Sequence, residues 1–170
     1  YNEAKLMDPN QRLFLENVWK AIEDAGYGGE KLVGSNTGVY VGFTPGGEYY
    51  QYIKDVDKKM IPYAETGNLS SVVASRISYI LNLKGPSMIV NTECSSSLVA
   101  LHLACRSLRN NEIDTALVGG VRVAFCPVYS EEKLGIESDK EMICTFDDDS
   151  DGAVFGEGSI ALVIKRYDKA

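Results

Sequence analysis

The chain has 170 residues, 45% hydrophobic and 24% charged, the balance of a folded domain rather than of a disordered segment. A net charge of -7 and a pI near 4.8, with no basic stripe, argue against binding to a nucleic-acid backbone. No apolar run approaches the roughly 20 residues that span a bilayer, and the opening "YNEAKLMDPNQR" lacks the layout of a signal peptide.

The stretch "MDPNQRLFLENVWKAIEDAGYGG" predicts a helix, with Asp8 as cap and Pro9 at the first helical position. Phe14, Val18, Ile22 and Ala25 recur at helical spacing, Leu15 and Trp19 widen the stripe, and Gly26 is the stop. Residues 37–43, "TGVYVGF", read as a buried strand. Residues 44–64 are irregular, and Tyr49, Tyr50 and Tyr52 fit a short helix or a covering loop better than the lining of a ligand channel. A second helix follows over 69–83, broken by Gly85-Pro86. Residues 87–91 form a strand. A third helix over 95–109 carries Leu98, Leu101, Cys105 and Leu108 on one face, which places Cys105 in the core. A strand over 114–125, a loop-rich stretch to about 151 and a last strand over 158–167 complete the chain. Helices alternating with apolar strands predict a layered α/β fold. The chain begins without Met, directly in a helix, and ends soon after a strand. That layout predicts a piece cut at both ends from a larger protein.

The four cysteines, Cys94, Cys105, Cys126 and Cys144, form no C-x-x-C pair, and there is one histidine. No metal site is expected, and free thiols suit a reducing cytoplasm. Cys94 stands out. In "IVNTECSSSL" a β-branched run meets three small hydroxyl residues and then an apolar helix. A cysteine at such a corner sits among N–H groups that lack intrahelical partners. They and the helix dipole favour a thiolate and can bind an oxyanion beside it, which is what covalent acyl transfer needs. The pattern alone leaves a second reading equally open: Cys94 as a small buried residue in a turn.

A wider likeness separates the two. "NTECSSSLVALHLACRSL" resembles the active-site segment of β-ketoacyl synthases, usually D-T-A-C-S-S-S-L. "MDPNQRLFLENVWKAIEDAG", "GNLSSVVASRISYILNLKGPS", "TALVGGVRV" and "CTFDDDSDGAVFGEGSIALVIKR" resemble further segments of the ketosynthase domains of modular type I polyketide and fatty-acid synthases. They follow in family order over residues 7–167. The resemblance implies a thiolase-like layered αβαβα fold, with residues 1–170 as the N-terminal half of a ketosynthase domain. It implies that Cys94 accepts an acyl chain as a thioester from an acyl carrier protein. A malonyl-type extender then undergoes decarboxylative Claisen condensation with it. The phosphopantetheine arrives on the carrier as part of the substrate, so no cofactor is expected. Other synthase domains and a second copy are the implied partners, with the strand before Cys94 near the two-fold axis. The histidine and lysine motifs of the later half, H-G-T-G-T and K-S-N-x-G-H, do not occur in this chain. The 170 residues alone are therefore expected not to condense. A non-elongating acyl-transfer domain and a structural or interaction fragment are the alternatives. His102, about two turns into the helix after Cys94, reads as a packing residue.

Two departures from the family pattern stand at the corner. Asn91 replaces the usual Asp, and Glu93 replaces a small or apolar residue. A carboxylate about 6 Å from the sulfur opposes the thiolate by about 0.7 kcal/mol in water, or about 3 kcal/mol at an effective dielectric of 20. The helix end favours it by about 0.3–2 kcal/mol, so the two effects nearly cancel.

Elsewhere, "DDDSDG" places Asp147, Asp149, Asp151 and Gly152 at calcium-loop spacing, but Gly158 falls where the closing Glu belongs and Glu157 is one residue early. A structured acidic loop is expected there. Gly119-Gly120 predicts close packing against a neighbouring element. Arg12, with Glu16 four residues on, and Arg76 read by default as surface pairing residues, while their place in the family-like segments implies a structural contact rather than chemistry.

Overall fold

The computed structural model describes residues 2–124 and 135–170. A short helix α1 (Asn2–Leu6) leads into α2 (Pro9–Asp24), which starts where the sequence says it should: the Asp8 carboxylate accepts from the Asn10 N–H, with Pro9 in the first turn. Gly26 takes a left-handed φ of 75° just past the end of α2, a conformation that costs glycine little.

Four strands form one sheet in the order β2-β1-β3-β4. They are β1 (Thr37–Gly42), β2 (Ser87–Val90), β3 (Thr115–Arg122) and β4 (Gly158–Lys165). Strands β1, β2 and β3 run parallel, and β4 returns antiparallel along β3. Strand β1 is buried at every position, as expected for a central strand covered on both faces.

The period-two alternation of the strands sorts side chains between two helical layers. On one face, Val39, Val41, Leu117 and Val121 pack against Phe14, Val18 and Ile22 of α2 and against Val73, Ala74 and Ile77 of α5 (Ser70–Ile80). On the other face, Tyr40, Val90, Ala116 and Val118 meet Ala100, Ala104 and Leu108 of α6 (Ser96–Arg109). The sequence-based α/β layering is therefore present as helix, sheet, helix.

Residues 44–64 contain more order than the irregular segment expected from sequence. They hold α3 (Glu48–Val56), a 3₁₀ turn at Lys58–Met60 and the start of α4 (Ile61–Asn68). Tyr49 is buried there with Leu6, Ile53 and Ala64, and its hydroxyl donates to the Lys5 carbonyl. Among the described residues the tyrosines cover their own domain, and none lines the cleft at Cys94. Helix α5 stops three residues short of its expected end because Asn82 turns to a φ of 52°.

The arginines depart from the surface pairing expected. Glu16 pairs with Lys20 and not with Arg12, whose guanidinium lies 5.8 Å from the centre of the Tyr49 ring. The Arg76 side chain is mostly buried, and its Nε donates to Gln11 Oε1 at 2.7 Å while its other end pairs with Glu3. Arg76 thus ties α5 to α2 and α1. Strand β3 ends at Arg122, short of the expected strand 114–125, with Val123 and Ala124 outside it; Phe125 and Cys126 lie outside the described residues.

Candidate active site

Strand β2 ends at Val90, and the chain reaches α6 through one tight 3₁₀ turn, Glu93–Ser95. The turn is held by its own hydroxyls. Ser96 Oγ donates to the Glu93 carbonyl at 2.6 Å and accepts from the Thr92 N–H at 2.9 Å. Ser95 Oγ donates to the Thr92 carbonyl at 2.8 Å. Asn91 Oδ1 accepts from the Glu93 N–H at 3.2 Å and from Thr44 Oγ1 at 3.0 Å, which ties the corner to the chain leaving β1. Among the described residues Asn91 serves here through its amide oxygen as an acceptor. Glu93 adopts a φ of 53°, in the left-handed region that non-glycine residues occupy at a cost of about 1–3 kcal/mol.

Cys94 is exposed at the tip of this turn. The N–H groups of Ser95 and Ser96 are taken up inside the turn, by the carbonyls of Thr92 and Glu93. Among the described residues nothing accepts from the Cys94 N–H. An oxyanion forming beside the sulfur would therefore find the cysteine's own N–H, rather than those of the serines. The reading of Cys94 as a buried turn residue does not hold: the thiol faces a cleft of about 820 Å³.

The corner and three strands build most of the cleft. The corner supplies Glu93, Cys94 and Ser97, the end of β1 supplies Gly42 and Phe43, and β3 with β4 supply Gly120, Arg122 and Ile160. Gly42 lets α6 come in: a Cβ there would stand 2.5 Å from the Ser97 backbone nitrogen. The pair in β3 divides its task between the two faces of the sheet. A Cβ on Gly120 would lie 3.0 Å from Ser97 Cβ, and one on Gly119 would lie 2.0 Å from the Ile160 carbonyl oxygen and 2.9 Å from the Phe14 ring. Close packing is the role expected for both glycines.

Sequence reasoning erred on the helix that follows. The buried positions of α6 are Ser96, Ala100, Ala104 and Leu108, whereas Leu98 is 71% exposed. His102 is also exposed, so it is no packing residue, and it does not line the cleft. Cys105 and Cys144 are half-buried. The acidic loop is structured as expected. Ser138 Oγ donates to Asp151 Oδ1 at 2.7 Å and Lys140 Nζ donates to the Asp149 carbonyl at 2.9 Å. The Ser138 hydroxyl, opposed by partial desolvation and aided by Lys140, holds the Asp151 carboxyl below its ordinary range. No group of side chains among the described residues is arranged to hold a metal ion, and no helix among them is long and apolar enough to cross a membrane.

Parallel strands closed by one antiparallel strand, helices on both faces, and a cysteine on the turn into the helix behind the sheet define the N-terminal half of a thiolase-like fold. Ketosynthases of known structure share it. A ketosynthase from module 6 of the bacillaene synthase of Bacillus subtilis superposes with a TM-score of 0.84 at 42% identity, over 98% of this chain and 27% of that one. An oxazolomycin ketosynthase domain of Streptomyces albus gives 0.79 at 36% identity, over 98% and 30%. The chain belongs to the β-ketoacyl synthase family: the family profile described as "Beta-ketoacyl synthase, N-terminal domain" matches residues 1–170. A phenolphthiocerol/phthiocerol polyketide synthase polypeptide of Mycobacterium tuberculosis is 43% identical over 175 residues, 99% of this chain and 8% of the relative. Cyclo-acetoacetyl-L-tryptophan synthase of Aspergillus oryzae is 44% identical over 170 residues, 99% of this chain and 4% of the relative. The chain thus spans a small part of the length of these relatives. The family is one of acyl-transferring enzymes, and the relatives include components of polyketide synthases.

Proposed function

We propose that these residues are the acyl-accepting part of a ketosynthase domain and that Cys94 is its nucleophile. The observation that supports this most is the exposed Cys94 thiol, facing a cleft beside a backbone N–H that finds no acceptor among the described residues. The Cys94 sulfur, as thiolate, attacks the carbonyl carbon of an acyl thioester carried on the phosphopantetheine of an acyl carrier protein. The oxyanion of the tetrahedral intermediate accepts from the Cys94 N–H. The bond to the phosphopantetheine sulfur breaks, and that sulfur takes up the proton that the Cys94 thiol released. In the condensing step a malonyl-type thioester loses carbon dioxide. Its second carbon bonds to the acyl carbonyl carbon, and the Cys94 sulfur leaves.

His102 lies outside the cleft on an exposed face of α6, so this chain brings no histidine to the sulfur. Groups beyond residues 1–170 are needed for decarboxylation, and the 170 residues alone accept an acyl chain without condensing it. The partners are the carrier protein, other synthase domains and a second copy in a cytoplasmic multienzyme. Strand β2 at the sheet edge, with Ser87 and Met88 exposed, supports pairing of two copies there.

Intact-mass measurement after incubation with an acyl thioester tests the reading. The full-length polypeptide carrying this sequence is expected to gain one acyl group, and the Cys94→Ala variant none. Equal acylation of both would return Cys94 to a structural role. Release of a β-ketoacyl product by the 170 residues alone would overturn the division between acceptance and condensation.

A further inference from the structure

We propose that Glu93 selects the acyl chain. A hydrogen-bond donor on its second or third carbon, an ammonium or a hydroxyl, binds the Glu93 carboxylate while the carbonyl carbon sits at Cys94. The inference rests on the reading of Cys94 as acyl acceptor and adds the substrate chemistry of that site.

Glu93 and Cys94 line the same cleft from adjacent positions. Their Cα atoms are about 3.8 Å apart, so a Glu93 carboxylate turned into the cleft stands nearer the carbons beside the thioester than the distal chain. The backbone of Glu93 is pinned on both sides, its N–H by Asn91 Oδ1 at 3.2 Å and its carbonyl by Ser96 Oγ at 2.6 Å. With φ held at 53°, the side chain leaves the turn from a fixed root.

The carboxylate itself is free. Among the described residues it has neither hydrogen bond nor ion pair. Among the described residues the cation on the same cleft is Arg122, which lies over the Phe155 ring, 5.2 Å from its centre. Phe43, Val121, Phe155 and Ile160 make the surrounding wall apolar. A saturated acyl chain entering this cleft would displace water from the carboxylate and return nothing. A chain with a donor near the carbonyl replaces that water with a charge-assisted hydrogen bond. Discrimination by a site of this kind comes mainly from the penalty on the chain that lacks the donor.

The test compares acylation rates of the full-length polypeptide with three thioesters of equal length: 3-aminobutanoyl, 3-hydroxybutanoyl and butanoyl. Intact mass reads each rate, and the quantity compared is the ratio of a donor-bearing chain to butanoyl. Wild type is expected to prefer both donor-bearing chains, and Glu93→Ala to lower each ratio by about tenfold. Glu93→Gln keeps an acceptor without the charge, so the hydroxyl ratio survives and the amine ratio falls. Unchanged ratios in Glu93→Ala would overturn the proposal and show a carboxylate that remains solvated. So would a variant inactive with all three thioesters, since Glu93 would then support the turn rather than read the chain. No acylation of wild type by any thioester, or acylation that persists in Cys94→Ala, would instead defeat the reading of Cys94.

Discussion

Ser96 is the side chain on which the corner closes. Its single oxygen bonds both the N–H entering the turn and the carbonyl of the left-handed Glu93. Ser96 is buried, so removing the hydroxyl leaves the Thr92 N–H without its partner and takes from the Glu93 carbonyl one of its two donors, the other being the Ser96 N–H. Ser96→Ala is expected to cost about 1–3 kcal/mol, read as a lowered denaturation midpoint at constant slope. The position of Cys94 was legible in the sequence, because a β-branched run followed by small hydroxyl residues marks a strand-to-helix corner. The role of Ser96 was not. Ser95, Ser96 and Ser97 are equally plausible caps on paper, and only the reversal at Glu93 decides which hydroxyl turns inward. The free N–H of Cys94 was hidden for the same reason: a 3₁₀ turn precedes α6 and takes up the serine N–H groups that a simple helix start would leave open.

Helix α6 shows how a correct helix carries a misread face. Ranking by hydrophobicity turned Leu98 inward. The sheet beneath carries Gly42 and Gly120, however, and the helix comes so close that small side chains are what fit. Ala100 and Ala104 are fully buried, and the larger Leu98 is left outside. Ala104→Leu is expected to destabilise the fold by about 1–3 kcal/mol through overpacking, whereas Leu98→Ala stays within about 0.5 kcal/mol. Equal costs in a denaturant titration would return the face to the hydrophobic ranking. Helix α2 was legible down to its cap because a wide apolar stripe and Asp8-Pro9 agree. Helix α4 was not, since it buries only Ala64 and Gly67 and shows no stripe.

Across the whole molecule, the layering followed from alternating helix and strand patterns, but the direction of β4 did not. The long connection between β3 and β4 is compatible with either direction, and the pairing of Thr115 with Lys165 decides it. Strand β4 leaves one face incompletely covered: Ile164 joins the α6 cluster, while Leu162 and Ile160 are 40% and 58% exposed. Apolar strand surface of this kind is ordinarily buried against another element. The 170 residues alone are expected to bind an apolar dye such as anilinonaphthalene sulfonate, and Ile160→Asp with Leu162→Asp to reduce that binding while keeping the helical circular dichroism. Dye binding indifferent to both substitutions would place the sticky surface elsewhere.

The two glycines of β3 carry a consequence for precision. A side chain used as a spacer hops between rotamers, and whatever leans on it shares that jitter. At Gly119 and Gly120 the sheet offers no side chain at all, so Phe14 on one side and Ser97 on the other bear on bare backbone. Ser97 lies three residues from Cys94, and its depth is gauged against hydrogen-bonded peptide planes, the stiffest ruler the chain possesses. The turn that carries the sulfur thus runs into a helix set against a reference that has no alternative settings, while the helix's other contacts could each have had several.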